Sequence, residues 1–259
     1  MVDDGAEPEV SRNDHLRYWL LPTAIVTLPM AMWFSGVPLL MAIAAPEFNR
    51  ELGLLENLQH LAVAAVAFVG VVRFRRATLP WERRFFALMA LAAVFVFLEE
   101  VDYGSHWWAA LQGRGEHERL VINIHNIGGN SRRFHVVGDV VTVSWFVLLP
   151  LVAARVRHPW VAYFRPDVRF IASIAAMLVL TQTAHLLNDL GLPPGSYMRK
   201  SMAEFRELFI YLIWLTYTRD LAFRRVWPGR DTGVTTGTGP DDRQEAPTTL
   251  PRSSGRLGA

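Results

Sequence analysis

Six apolar segments of membrane-spanning length constrain this chain more than any other feature of its sequence. A helix needs roughly 20 mainly apolar residues to cross the hydrocarbon core of a bilayer. Segments that meet or approach this length cover residues 18–45, 52–72, 85–101, 135–154, 170–188 and 202–223. Apolar residues make up 51% of the chain, and its mean hydropathy is +0.19 although both ends are polar. The sequence therefore predicts an all-α protein, a polytopic bundle of about six transmembrane helices.

The first apolar segment contains three prolines, Pro22, Pro29 and Pro38. Proline interrupts the hydrogen bonds of a helix, so we expect a kink or a strong tilt rather than a straight rod. The end of the segment, at residues 42–44, resembles a signal-peptidase site. The apolar run is too long for a signal peptide and the start of the chain is acidic, so we interpret the segment as a span.

Arginines predict the orientation of the bundle, because short loops rich in Lys and Arg stay in the cytoplasm. They lie before span one, between spans two and three, between spans four and five, and after span six: Arg12, Arg17, Arg73, Arg75, Arg76, Arg83, Arg84, Arg155, Arg157, Arg165, Arg169, Arg219, Arg224, Arg225 and Arg230. These positions predict that both termini are cytoplasmic. The loops near 46–51, 102–134 and 189–201 should then face outward.

The two ends of the chain differ in composition from the membrane region at 18–226. Residues 1–17 and 227–259 contain too few apolar side chains to offset the entropy of ordering, so we expect both to be disordered. The net charge is only +2, and the arginines lie in short loops, which excludes an exposed patch for nucleic acid. Without cysteine, a metal ion would need His, carboxylate or amide ligands.

Ionisable side chains lie near the outward ends of five of the six predicted spans. Such groups are costly in lipid and typically mark a functional site. Residues three, four or seven positions apart share one face of a helix. By this spacing the polar faces comprise Glu56, Gln59 and His60; Glu99, Asp102 and His106; His135, Asp139 and Thr142; Thr181, Gln182, His185, Asn188 and Asp189; and Glu204, Glu207 and Tyr211 with Arg206 beside them.

The end of span three is the most acidic of these faces. Glu99, Glu100 and Asp102 repel one another, so a metal ion, a shared proton or an arginine must compensate. The alternative is an interfacial helix end at which the carboxylates simply reach water. In the outer loop, His125 precedes Gly128-Gly129 and is the best loop candidate for a ligand or base. The alternative for this stretch is an ordinary surface turn.

Two motifs resemble a bacterial family of polytopic membrane proteins. The first is Glu99-Glu100-Val101-Asp102-Tyr103-Gly104, which is similar to that family's Glu-Glu-x-Ser/Asp-Trp/Tyr-Gly signature at a helix end. The second is Asn123-Ile124-His125-Asn126, which matches its later Asn-x-His-Asn. The acidic stretch from Glu51 to Glu56 also looks like that family, so the similarity covers most of the membrane region. The resemblance implies a bacterial inner-membrane protein with a shared polar site, and no particular reaction.

A weaker likeness is to the CAAX-processing intramembrane proteases. That family pairs a Glu-Glu helix motif with two later histidines, the second followed four residues on by Asn or Asp. Glu99 and Glu100, then His125, then His185 with Asp189 have this order. The chain departs from the pattern at Gly104, where that family has Arg, and at Val121, where it has Phe.

These observations predict a membrane-embedded hydrolase or transferase that acts on a lipid-linked or hydrophobic substrate from the outer side. The predicted catalytic residues are Glu99, Glu100, His125 and His185. The predicted metal ligands are Asp102, His106, His135 and Asp189, and zinc or iron would suit such a set. Two alternatives stay open: a proton- or cation-coupled carrier, and an accessory or structural subunit. The expected partners are membrane lipids and the hydrophobic substrate.

Overall fold

The computed structural model describes residues 15–48, 52–114, 130–153, 155–156, 158–194, 202–225 and 227, with the side chains of 106 and 130–135 left out. Every regular element in these ranges is a helix, which confirms the all-α class. Predictions about 1–14, the outer part of the loop at 115–129, and the tail from 228 lie outside them. The described chain begins at residue 15, and a π-helical turn covers Leu16–Leu20.

The first apolar segment is divided into two helices, α1 (Leu21–Phe34) and α2 (Pro38–Ala44). The interruption confirms the predicted departure from a straight rod. It does not lie at Pro29, which sits inside α1. It lies at Gly36, whose φ of +68° is a left-handed conformation that favours glycine. Pro38 then begins α2, a position where its missing N–H costs nothing.

The next two helices pack against each other as a hairpin, α3 (Leu54–Arg76) and α4 (Pro80–Glu100). They approach each other closely at Gly70. A Cβ there would lie 3.0 Å from the Cβ of Ala90 and 3.2 Å from the carbonyl oxygen of Phe86. A side chain at this position would therefore push the two backbones apart.

A 3₁₀ turn, Asp102–Gly104, follows α4 and leads into the short helix α5 (Ser105–Leu111). The chain is described again from α6 (Asn130–Val143), which continues through a π-helical turn, Ser144–Leu148, into α7 (Leu149–Ala153). The predicted outer loop at 102–134 thus contains α5 and the first residues of α6.

Three further helices complete the described chain: α8 (Pro159–Phe164), α9 (Phe170–Asp189) and α10 (Ala203–Phe223). Helix α10 packs against α1, α3 and α9 and so lies inside the bundle. Its buried side chains include Phe205, Leu208, Phe209 and Ile213, which recur at helical spacing. This interior position brings the polar first turn of α10 to the neighbouring ends of α3 and α4.

Three helical segments are long and apolar enough to cross a membrane: Leu54–Arg76, Val136–Ala153 and Phe170–Asp189. Helices α4 and α10 have 21 residues each but carry several charged side chains, and α1 has 14 residues. The membrane class is thus supported by three spans. The number six and the sidedness of the termini stay predictions.

Successive long helices run in opposite directions, so the bundle has two chemically different ends. The acidic end consists of the first turns of α3 and α10 and the last turn of α4. The arginine end consists of the last turns of α3 and α10, the first turns of α4 and α9, and the segments that join them. The candidate site lies at the acidic end.

Candidate acid–base site

Carboxyl groups from two helices meet at the acidic end, where Glu100, Glu204 and Glu207 are each half-buried. Glu207 forms a side-chain hydrogen bond with Glu204, one turn earlier on α10, and the charge of Glu100 from α4 acts on the same carboxyl group. The hydroxyl of Tyr211 donates a hydrogen bond of 2.5 Å to Oε1 of Glu100. We call Glu100, Glu204 and Glu207 the carboxyl cluster.

Helix α3 contributes a neutral polar side chain to this cluster. Gln59 is fully buried, and its Nε2 donates to the backbone oxygen of Glu204 at 3.1 Å and to Oε2 of the same residue at 3.2 Å. The neighbouring Glu56 and His60 are also buried, at 5% and 6% exposure. The His60 ring packs edge-on against Phe97 and Trp107. The polar face predicted on span two thus faces the bundle interior.

One arginine lies beside the cluster. Arg206 Nη1 donates to Oδ2 of Asp139 on α6 at 3.1 Å, and its charge also acts on Glu207. Since α10 carries both Arg206 and Glu207, this ion pair connects α6 to the acidic end. The sequence places Arg206 beside the predicted polar face of span six, and the structure gives it this specific partner.

The turn after α4 holds its backbone in an unfavourable conformation. Asp102 and Tyr103 have φ values of +44° and +54°, and Gly104 has +88°. Residues other than glycine rarely adopt such values, and each costs about 1–3 kcal/mol, so they often mark functional segments. The Tyr103 hydroxyl donates to Oε1 of Glu99 at 2.6 Å. This hydrogen bond raises the pKa of Tyr103 above its ordinary value.

The predicted site residues on span three all lie near this turn. Glu99 is 6% exposed, Asp102 is fully buried, and Glu100 belongs to the carboxyl cluster. His185 and Asp189, in contrast, are exposed on α9, and no contact among the described residues joins them to the cluster. His125 lies outside the described residues, as do the side chains of His106 and His135.

A metal centre was predicted from the same residues. Among the side chains that the structure describes, no three His, Asp or Glu residues are arranged to hold a metal ion. Zinc or iron binding therefore stays a prediction that no described contact supports. The residues that the predicted site omitted are Glu204, Glu207, Tyr211 and Gln59. Their spacing of three and four along α10 had already placed the first three on one face.

The arginine end is organised differently, because its described acids are bonded to arginines. Arg73 donates from Nη2 to both carboxylate oxygens of Glu82 at 3.1 Å. Asp220 accepts a 2.5 Å hydrogen bond from Tyr18 and pairs with Arg224 at 3.5 Å and Arg225 at 3.8 Å.

The loop before α9 continues this pattern. Arg169 binds both carboxylate oxygens of Asp167, at 2.8 and 2.6 Å. Burial opposes ionisation of Asp167, but its hydrogen bonds with the Arg169 side chain and backbone prevail, so its pKa is lowered. Nearby, burial is the main cause that raises the pKa of Tyr163 to about 12, and the charge of Glu82 adds to it. Among the ion pairs of the arginine end, that of Arg73 and Glu82 joins α3 to α4.

The helical bundle thus has a carboxyl cluster at one end and ion pairs at the other, and three of its helical segments are long and apolar enough to cross a membrane. No protein-family model, no curated protein and no solved structure matches this chain. The two family resemblances stay predictions, and the chemistry of the cluster is the basis for a function.

Proposed function

We propose that this chain is a six-span membrane protein whose carboxyl cluster is an acid–base site on the outward side. At 1.5 Å per residue, the 21 residues of α4 and of α10 extend about 31 Å, which is enough to cross the hydrocarbon core. Their charges lie in the terminal turns rather than at the centre. The π-helical turn, α1 and α2 together form the first span. The arginine end is cytoplasmic, because short basic loops stay on that side.

The proximity of Glu204, Glu207 and Glu100 is the observation that supports this function most directly. In the proposed site Glu204 and Glu207 share a hydrogen bond, so one of them carries a proton. One member is then a proton donor and the other a proton acceptor, while Glu100 nearby disfavours a second negative charge. Paired carboxyls in different protonation states are the usual means of acid–base chemistry.

The proposed reaction is hydrolysis or transfer on a lipid-linked or otherwise hydrophobic substrate. The ionised carboxylate takes a proton from the attacking water or hydroxyl, whose oxygen forms the new bond. The protonated carboxyl gives its proton to the oxygen of the departing group as the old bond breaks. Tyr211 and Gln59 orient Glu100 and Glu204 through their hydrogen bonds.

A second function, that of a proton carrier, is favoured by one specific observation. Protein groups already bond the carboxyls of the cluster: Tyr211 bonds Glu100, and both Gln59 and Glu207 bond Glu204. A site closed in this way accommodates a proton more readily than a larger ligand. In this function the cluster would take up and release protons without breaking a covalent bond.

One set of vesicle experiments distinguishes the two functions. Wild-type protein and the variants Glu207→Gln, Tyr211→Phe and Glu47→Gln are placed in vesicles made from a bacterial polar lipid extract, in water enriched in heavy oxygen. Glu47 is the matched control, because it is exposed at the end of the first segment, outside the carboxyl cluster. Mass spectrometry detects label in the products, and a trapped pH-sensitive dye reports proton flux under an imposed potential.

If the protein is an enzyme, labelled or transferred lipid products should form. Their rate of formation should fall by about 100-fold or more in Glu207→Gln and persist in Glu47→Gln. Tyr211→Phe should reduce the rate by a smaller factor, since it removes only an orienting bond. A carrier predicts no new lipid species and a proton flux with the same dependence on Glu207. If neither product nor flux depends on Glu207, both functions are wrong.

A further inference from the structure

The hairpin turn between α3 and α4 at the arginine end has a surplus of positive charge. Arg75 and Arg76 lie in the last turn of α3, and Arg83 and Arg84 lie at the start of α4. All four are exposed, and none forms an ion pair with a carboxylate among the described residues. Between Arg73 and Arg84 the one acid is Glu82, and it is already bonded to Arg73.

The positions of Arg83 and Arg84 are electrostatically unfavourable for their own helix. Backbone N–H groups make a helix N-terminus positive, so cations near it repel the helix dipole. Arg75 and Arg76, at the negative C-terminus of α3, have the opposite and favourable placement. The preceding residue, Leu79, provides no side-chain cap for α4. Two exposed arginines beside a helix N-terminus are suited to bind an anion from outside the chain.

An aromatic cluster next to this turn indicates where that anion would come from. Ring centroids of Trp81 and Trp160 lie 4.6 Å apart, and Trp227 lies 4.8 and 4.6 Å from the two. Trp160 remains 41% exposed. Tryptophan is enriched at the level of lipid headgroups. The guanidinium of Arg83 lies 5.3 Å from the Phe74 ring centroid, which keeps it at the hairpin.

We propose that the turn between α3 and α4 binds the phosphate of an anionic phospholipid, with Arg83 and Arg84 as the main ligands and Arg75 and Arg76 adding to the field. The tryptophan cluster contacts the glycerol and upper acyl region of the same lipid. The proposal depends on the membrane location of this end, and it does not depend on acid–base chemistry at the opposite end.

The test uses the full chain in phosphatidylcholine vesicles with and without phosphatidylglycerol. Brominated phosphatidylglycerol quenches tryptophan fluorescence when it binds nearby, and brominated phosphatidylcholine measures contact with bulk lipid. The test variant is Arg83→Gln/Arg84→Gln. The control variant is Arg155→Gln/Arg219→Gln, which removes the same charge from exposed positions elsewhere at the arginine end. Circular dichroism verifies that both variants keep their helices.

A basic residue near an anionic surface contributes roughly a fivefold change in binding, so removing two should weaken the preference for phosphatidylglycerol by about 10- to 30-fold. The control variant should stay within about threefold of wild type. Equal losses of the phosphatidylglycerol preference in both variants would mean that binding depends on the general positive charge of this surface rather than on a specific site. That result would overturn the proposal. Complete competition by soluble glycerol phosphate would also overturn it, because the site would then bind phosphate without lipid. Glu207→Gln should keep the lipid preference, which separates this test from that of the proposed function.

Discussion

The two ends of the bundle arrange their charged side chains in opposite ways. At the arginine end, Glu82 and Asp220 are bonded to arginines that connect different parts of the chain. At the acidic end, the cluster of Glu100, Glu204 and Glu207 gathers carboxyl groups beside Arg206. Opposite charges in contact stabilise a fold, whereas like charges in contact reduce its stability. The acidic end is therefore the part of the molecule whose composition requires a functional explanation.

The largest effect on stability is expected at the arginine end, from Arg73→Gln. This substitution leaves Glu82, whose side chain is 1% exposed, without its guanidinium partner. Breaking a buried ion pair on one side costs about 3–5 kcal/mol, and the partial exposure of Arg73 favours the lower value. Denaturation of the full chain in detergent measures the loss. Arg83→Gln, an exposed arginine ten residues further on, is the control and should change stability by less than about 0.5 kcal/mol.

Gly70→Ala should have a smaller effect on stability. It tests whether helix packing, and not charge alone, stabilises the hairpin of α3 and α4. In Gly70→Ala the added Cβ lies 3.0–3.2 Å from atoms of Phe86 and Ala90, so the helices must separate at a cost of about 1–3 kcal/mol. Gly138→Ala, on α6, has nothing within 4 Å. This control should be neutral or stabilising by up to about 1 kcal/mol, because alanine favours helix. Equal thermal shifts in the two variants would contradict close packing at Gly70.

The smallest effect on stability is expected from Tyr163, and it concerns how the free energy of unfolding depends on pH. The folded-state pKa of Tyr163 is raised to about 12, above its unfolded value near 10. Its contribution to stability is therefore complete below about pH 10 and is lost as the pH rises towards 12. Wild-type protein should lose stability more steeply than Tyr163→Phe across this window, and tyrosinate absorbance should show one fewer late-titrating group in the variant. Identical slopes would mean that Tyr163 is accessible to water in the folded state.

Sequence reasoning located the helices well because span length and proline position are local properties. The predicted segment at 170–188 corresponds to Phe170–Asp189, and that at 202–223 corresponds to Ala203–Phe223. The division of the first segment at Gly36 was not located, since three prolines in the same stretch were more conspicuous than one glycine. Helix α4 also begins five residues earlier than predicted, because Pro80 can begin a helix even where the following residues are charged.

The site was harder to predict because helical spacing identifies a shared face but not the direction in which it points. On α9, Thr181 and Ala184 are buried while His185 and Asp189 are exposed, so the predicted polar face does not join the carboxyl cluster. On α10, Glu207 does join it. The difference arises from tertiary packing: α10 is surrounded by other helices, whereas α9 lies towards the outside of the bundle.

The central claim, that one end stabilises the fold and the other carries the chemistry, is tested most directly by two matched carboxyl substitutions. The free energy of unfolding is measured for Glu82→Gln and Glu207→Gln in the full chain, under identical detergent and pH. Glu82→Gln should lose about 3 kcal/mol, because it breaks the bidentate pair with Arg73. Glu207→Gln should be unchanged or more stable by up to about 1 kcal/mol, because it replaces one of three crowded carboxyl groups and keeps a hydrogen-bonding group. A loss in Glu207→Gln as large as that in Glu82→Gln would contradict the claim, since the carboxyl cluster would then be a structural element like the arginine end.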